Sequence, residues 1–338
     1  MKTYFITGIS GFLGRNITLK LLEQNDVKII GFVLPHEKNL EFFNKNQNVT
    51  LVLGDILNIS DVKRFLSMRH EGEKIIIHAA GMITTFKRND KLAMTVNYQG
   101  TKNVVDSAVK YGCDKFIYVS SVDSLDKRKG EEPIFEQDNY DVNKVDGVYS
   151  KSKVLANNYV LENVRNSNLP GLIVLPSAII GPNDPFNSPI NYAVKKFLKG
   201  KLNVLVKGQY NLVDVRDVAQ GIVDASNKGK IGESYILSGT HISMLDFINS
   251  VAYIEHKKPI TKLIPIPLVK IASPFIETHA RIHKKRPLFT GFSMDCLQQN
   301  SYYQFSKANQ EFGYKSRELN ATIKDLVSWM KESGYLDK

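Results

Sequence analysis

Apolar and polar positions give the two parts of this chain different rhythms. Up to residue 176, short apolar runs alternate with amphipathic stretches. Tyr4-Phe5-Ile6, Val27 to Leu34, Val49 to Val52, Lys74 to His78, Lys115 to Val119 and Leu172 to Leu175 read as strands. Most are apolar without interruption, the pattern of strands covered on both faces. Helical periodicity falls between them, ending near Glu23 in the first case, then from about Met94 to Tyr111 and from about Tyr149 to Arg165. Pro35, Gly54-Asp55, Ser120-Ser121 and Pro176 close successive strands. Strands alternating with helices predict an α/β fold, a doubly wound parallel sheet with right-handed crossovers.

Beyond Gly181 the alternation becomes irregular. Helical patterns at 190–199, 217–226, 244–254 and 321–333 are interleaved with short strands near 203–206, 211–215 and 234–237. The expected organisation is a nucleotide-binding domain over 1–176. Residues 177–338 then form mainly a smaller, discontinuous substrate lobe, with some segments returning to the first domain.

The stretch that gives the first domain its purpose is Thr7-Gly8-Ile9-Ser10-Gly11-Phe12-Leu13-Gly14. A strand, a glycine turn and a helix start within a dozen residues are how a dinucleotide site begins. Gly8 permits the tight turn, Gly11 lets backbone approach a pyrophosphate, and Gly14 lets helix and strand pack closely. The unpaired N–H groups of the helix's first turn would hold the phosphates. The spacing departs from G-x-G-x-x-G, so its position at the start of a βαβ unit carries the assignment. Ligands on such sheets lie at the carboxyl ends of the strands. Asp55 is there to accept from an adenine amino group, or to cap a helix. Ala79, Ala80 and Gly81 are small enough for backbone to lie along the cofactor.

Composition adds little. Hydrophobic residues at 43% and charged residues at 23% of 338 are ordinary for a globular protein. No apolar-cored leader precedes the first strand, so a secretory signal is not expected. Cys113 and Cys296 lack metal or disulfide spacing and read as reduced thiols, which points to a cytoplasmic protein without a metal site. The net charge of +11 comes from cations mostly interspersed with acids, with no nucleic-acid module. The run Leu263 to Ile276, broken by Pro265, Pro267, Lys270 and Pro274, is too short to span a bilayer and leads to Arg281, Lys284, Lys285 and Arg286. It reads as a lobe helix closing over substrate, with a weak membrane-surface contact as the alternative.

A nicotinamide site needs an acid to protonate the oxygen as hydride reaches carbon. A tyrosine with a lysine four residues on can supply it, since the two share a helix face and the lysine charge lowers the phenol's pKa. Tyr-x-x-x-Lys occurs seven times here, so position must choose. Tyr149/Lys153 opens the helix after the fifth strand, facing Ser121 at that strand's end. Tyr140/Lys144 is the main competitor, in a stretch whose Asp, Asn and Gly residues disfavour a helix.

At these residues the chain resembles the extended short-chain dehydrogenase/reductases, the NAD(P)-dependent epimerase/dehydratase type. Thr7 to Gly14 matches its T-G-x-x-G-x-x-G. Gly54-Asp55-Ile56, His78-Ala79-Ala80-Gly81, Asn97, Ser120-Ser121, Tyr149 with Lys153, Pro176-Ser177 and Val213 to Ala219 match its further motifs in order. The late Phe305-Ser306-Lys307-Ala308 and Phe312-Gly313-Tyr314 are similar too. Within that family it looks most like bacterial dihydroflavonol 4-reductase-like enzymes. The resemblance implies a Rossmann domain and an oxidoreductase in which Ser121 polarises the substrate oxygen, Tyr149 donates the proton and Lys153 binds the nicotinamide ribose. Asn97 supports Lys153. It implies cofactor contacts at Gly8, Ser10, Gly11, Phe12, Leu13, Gly14, Asp55, Ile56, Ala79, Ala80, Gly81, Tyr149, Lys153 and Pro176.

The favoured activity is NAD(P)H-dependent reduction of a fairly apolar aldehyde or ketone, or the reverse oxidation. A nucleotide-sugar epimerase or dehydratase is the alternative. Against it, Ala178 stands where many such enzymes carry Asn, and Ser121-Val122-Asp123 where dehydratases carry Thr-Asp-Glu, although Asp123 keeps a base at the last position. A non-catalytic dinucleotide sensor would have no need of Ser121, Tyr149 and Lys153. NADP(H) is modestly favoured over NAD(H). The second strand ends Phe32-Val33-Leu34-Pro35 with no carboxylate, and Lys38 follows to pair with a 2′-phosphate, unless His36 and Lys38 form only a solvated turn. The 94–111 and Tyr149 helices could together build a homodimer contact.

Overall fold

The computed structural model describes residues 1–38, 40–84, 90–127, 132–282 and 291–337. Strands are β1 (Lys2–Thr7), β2 (Val27–Val33), β3 (Val49–Leu53), β4 (Glu73–His78), β5 (Lys115–Val119), β6 (Gly171–Pro176), β7 (Ala178–Ile180), β8 (Leu205–Val206), β9 (Gln209–Asp214), β10 (Ser234–Leu237), β11 (Thr240–Ser243) and β12 (Leu263–Ile264). Helices α1 (Phe12–Leu21), α2 (Glu41–Asn44), α3 (Ile59–Leu66), α4 (Lys91–Met94), α5 (Thr101–Tyr111) and α6 (Val148–Asn166) belong to the first half. The second half holds α7 (Pro189–Leu198), α8 (Val215–Lys228), α9 (Met244–Ile254), α10 (Ile266–Ile282), α11 (Gly291–Gln298), α12 (Ser306–Phe312) and α13 (Leu319–Glu332).

Seven strands form one parallel sheet in the order β10-β6-β5-β4-β1-β2-β3. The expected doubly wound α/β fold is what the chain adopts. Both faces are covered, so each strand divides its apolar side chains between two cores. Tyr4, Ile6, Ile75, Ile77, Ile117 and Val119 join a cluster with α1, α8 and α12. Their neighbours Phe5, Ile76, Phe116 and Tyr118 join one with α3, α5 and α6. That is why the strands are apolar throughout rather than alternating. The chain reverses direction across the sheet between β1 and β4, which opens a crevice at the carboxyl ends of both.

β10, read from sequence among the short strands of the irregular region, pairs with β6 at the edge of the main sheet. α8 packs beside α1 on the first core. A third core gathers α7, α9, α13, β8 and β9 around Phe247, Ile323 and Met330, beside the small sheet β11-β9-β7 and the ribbon β12-β8. Asp214 joins the halves. It caps α8 through Arg216 N, pairs with Arg216 at 2.7 Å, and Arg216 reaches Asp325 on α13 at 2.7 Å. Asp217 takes two hydrogen bonds from the Arg317 guanidinium. Burial works against the Asp214 charge, but the Arg216 hydrogen bonds and the charges of Arg216 and Arg317 hold its carboxyl below the usual range. Among the described residues no helix is long and apolar enough to cross a membrane.

Candidate active site

The glycine turn after β1 sorts its three glycines by role. Gly8 has φ +71, and a Cβ there would lie 2.7 Å from Ala80 N, so turn and close approach both demand glycine. A Cβ on Gly14 would run into the Gly8 carbonyl. Gly11 differs: only the Gly8 carbonyl lies near, at 3.1 Å, and its other side is open. Gly11 also begins α1 without any side-chain cap, so the first-turn N–H groups of Phe12, Leu13 and Gly14 are not satisfied by a cap. Ser10, Gly11, Phe12 and Leu13 are all partly exposed here. This cradle fits a dinucleotide pyrophosphate: its surface is backbone donors, and its open side is where a Cβ would fill the space.

The facing strand end is fixed by a buried histidine. His78 Nδ1 meets Thr7 Oγ1 at 2.6 Å and Nε2 meets Thr101 Oγ1 at 3.0 Å, linking β4 to β1 and α5. Burial, aided by the Lys153 charge, drops its pKa to about 3, so the ring is neutral. Ala80 N donates to Thr7 Oγ1 at 3.2 Å, which lays Ala79-Ala80-Gly81 along the crevice. Gly81 marks its floor: a Cβ there would meet Asn97 Oδ1 at 3.2 Å and Lys153 Nζ at 3.5 Å.

Asn97 lies on a π-helical stretch, Thr95–Gly100, between α4 and α5. Its side chain is buried. Nδ2 donates to Met82 O and to Ser152 Oγ, each at 3.0 Å, and Oδ1 accepts from Met82 N at 2.8 Å. Asn97 thus ties the loop after β4 to α6, and no bond from it to Lys153 is formed.

Ser121 and Tyr149 come together at the end of β5. Ser121 is nearly buried and caps a short 3₁₀ turn, accepting from Asp123 N at 3.1 Å. Gly147, at φ +85, starts α6, so that Tyr149 stands in its first turn with its phenol beside Ser121. One turn on, Lys153 Nζ donates to the Val119 carbonyl at 2.9 Å and sits 4.9 Å from the Tyr118 ring centroid. With no carboxylate beside it, burial pulls Lys153 down to about 7. The competitor lies elsewhere: Tyr140 OH meets Ser234 Oγ on β10 at 2.8 Å, and Lys144 pairs with Asp126.

One expectation is corrected. Lys153 was to lower the Tyr149 phenol, yet burial first and the Asp123 charge second push that phenol up, and only the nearness of Ser121 opposes them.

Sequence reasoning missed most of what surrounds Asp123. Lys127 Nζ lies 2.6 Å from Asp123 Oδ1, a largely buried pair. Burial works against the Lys127 charge, but Asp123 outweighs it and the lysine is held well above its ordinary value. The charges of the pair act on Tyr303, Tyr210 and Cys296, all three protonated by burial. These side chains come from three distant segments, so only Asp123 and Lys127, four apart, could have been paired by spacing. Arg15 was missed too. Its guanidinium stands 4.8 Å over the Phe42 ring and lines a cavity of about 290 Å³ with Glu41, Asn183 and Trp329.

The remaining candidates are placed as follows. Asp55 Oδ1 accepts from Leu57 N at 2.9 Å, a local turn cap, and Ile56 is buried under Gly100. Pro176 ends β6 opposite Leu237. Lys38 is exposed beyond β2, where Leu34 is half-exposed. Of the basic run after α10, Lys284, Lys285 and Arg286 lie outside the described residues.

Residues 5–233 match the model of the 3-beta hydroxysteroid dehydrogenase/isomerase family. A putative dihydroflavonol 4-reductase of Synechocystis sp. is 30% identical over 98% of this chain and 96% of its own. A 2-alkyl-3-oxoalkanoate reductase of Shewanella oneidensis is 27% identical over 92% of this chain and 82% of its own. The crystal structure of gox2253 superposes with TM-score 0.83 at 29% identity, covering 98% of both chains. With the glycine cradle, the parallel sheet and these matches together, the chain belongs to the 3-beta hydroxysteroid dehydrogenase/isomerase family and is an NAD(P)-dependent oxidoreductase of the extended short-chain dehydrogenase/reductase type.

Proposed function

We propose that this oxidoreductase is a carbonyl reductase/alcohol dehydrogenase for a small or medium, fairly apolar aldehyde, ketone or alcohol, with Tyr149 as proton donor. The observation that carries the reading is the placing of the Tyr149 phenol beside Ser121 at the end of β5, with Lys153 one turn along α6 and the glycine cradle across the crevice. A nicotinamide cofactor held by the glycine cradle and Lys153 would supply the hydride for the carbonyl carbon. Ser121 Oγ holds the carbonyl oxygen, and Tyr149 OH gives it a proton as charge develops. Burial and Asp123 keep that phenol protonated, the form that donates to the carbonyl oxygen. Lys153 carries the nicotinamide ribose. Two relatives bear names of carbonyl reductases; neither substrate transfers by likeness alone.

Asp123 already holds Lys127 and is not a free base, which weighs against a sugar dehydratase. NADP(H) is the preferred cofactor, with Lys38 pairing with the 2′-phosphate beside a strand end that lacks a carboxylate. The test is oxidation of NADPH and NADH against aldehydes, ketones and nucleotide sugars. Net cofactor oxidation with a ketone or aldehyde is expected, and conversion of a nucleotide sugar without it would overturn the reading.

A further inference from the structure

The cavity beside Arg15 is walled by both halves of the chain. α1 and α2 supply Arg15, Glu41 and Phe42, while the loop after β7 and the end of α13 supply Asn183, Trp329 and Ser333. At about 290 Å³ it has the size of a site for a small ligand. It also adjoins the glycine cradle. Arg15 N donates to Gly11 O at 2.9 Å, so the side chain leaves α1 one turn after the residue that opens the cradle.

Arg15 is the unmatched charge of this wall. Its guanidinium stands over the Phe42 ring, its Nε is buried without a hydrogen-bond partner, and burial works against its charge. Among the described residues no carboxylate pairs with it; Glu41 acts on it only through its charge. Asp184, fully buried in the same wall, serves its own loop and α7. It accepts from Phe186 N at 3.0 Å, Ser188 N at 2.6 Å and Asn191 Nδ2 at 3.0 Å. Two more wall residues, Asn183 at φ +65 and Asn187 at φ +53, hold left-handed backbone, which residues other than glycine adopt at a cost. A partly buried cation facing an enclosed space, with no anion of its own, matches a ligand that brings one.

We propose that this cavity binds a phosphate monoester, with Arg15 as its counter-ion. The guanidinium fork matches two phosphate oxygens, and the Phe42 ring restrains its position. The rings of Phe42 and Trp329 offer an apolar wall to the organic part of the ester. Two sources carry that group to this place: the 2′-phosphate of NADP(H), on the ribose next to the cradle, and a separate phosphate compound. The site requires the dinucleotide cradle but neither the carbonyl substrate nor Lys38.

Calorimetric titration of inorganic phosphate into the full chain saturated with NADH tests this, because the dinucleotide already fills the cradle. Sodium chloride at matched ionic strength is the control, and phosphate is expected to bind where chloride does not. Arg15→Gln should weaken phosphate about tenfold or more, and Glu41→Gln, which removes the opposing charge, should tighten it about threefold. The NADH affinity of each variant shows that the cradle remains folded. Repeating the titration with NADPH in place of NADH distinguishes the sources. Loss of phosphate binding there assigns the cavity to the cofactor's 2′-phosphate, and undiminished binding assigns it to a separate compound. No phosphate binding to the NADH-saturated native chain, an equal response to chloride, or native affinity in Arg15→Gln would overturn the proposal.

Discussion

Two lysines lie buried around Tyr149 and receive opposite treatment. Lys127, on the substrate side, is held by Asp123 at 2.6 Å and keeps its proton firmly. Lys153, on the cofactor side, has a backbone carbonyl and a tyrosine ring for company and drops to about 7. A compensated ion pair contributes to a shaped wall and stays charged. An uncompensated lysine costs stability and persists only where something that binds later uses its charge. The contrast separates an ion pair completed by folding from a lysine left uncompensated, the one proposed to bind the cofactor.

The sharpest break between the sides lies at the tyrosine between them. Tyr149→Phe should lower turnover by about 10²–10⁴-fold, the usual contribution of a positioned acid, with dinucleotide affinity nearly unchanged. Tyr140→Phe, which loses only the contact to Ser234, should leave turnover near native. Steady-state kinetics with fluorescence titration of the cofactor checks both, and the reverse pattern would return the role to Tyr140.

The lysines themselves give a prediction in stability. Lys153 is penalised in the folded state wherever it must be charged, because its folded pKa of about 7 lies below the unfolded value of about 10.4. The penalty is therefore complete below pH 7 and fades as pH rises towards 10. Lys153→Met should stabilise the cofactor-free protein by about 2–4 kcal/mol at pH 6 and by little at pH 10. Lys127→Met strands Asp123 and should instead destabilise by about 2 kcal/mol, with Asp123→Asn in the same chain recovering much of it. Denaturant titrations at the two pH values measure both.

How far this was legible in the sequence depends on distance along the chain. The main strands were legible because each is covered on both faces, which leaves unbroken apolar runs such as Ile75-Ile76-Ile77. Tyr149 was legible once position, rather than motif, chose among the seven candidate pairs. β10 was not placed, since four residues of strand carry no sign of the partner they will find, β6. Nor was the wall around Asp123: Tyr303 arrives from the far end of the chain, and the pairing of Asp123 with Lys127 crosses a 3₁₀ turn rather than a helix. The π-helical stretch that carries Asn97 was not legible either, since nothing in Thr95 to Gly100 announces it.

The smallest expected effect concerns cofactor choice on the Lys153 side. Lys38→Ala should weaken NADPH binding by about 1 kcal/mol, the scale of an exposed ion pair, and leave NADH binding unchanged. Calorimetric titration distinguishes this from equal losses for both, which would make Lys38 part of a solvated turn.

One measurement reaches the central claim directly: transfer from cofactor deuterated at the nicotinamide C4, followed by mass spectrometry of the product. The account predicts deuterium on the carbinol carbon of an alcohol formed from a ketone or aldehyde, one cofactor oxidised per alcohol, and loss of this transfer in Tyr149→Phe. A nucleotide sugar converted without net cofactor oxidation, or undiminished transfer in Tyr149→Phe, would contradict it.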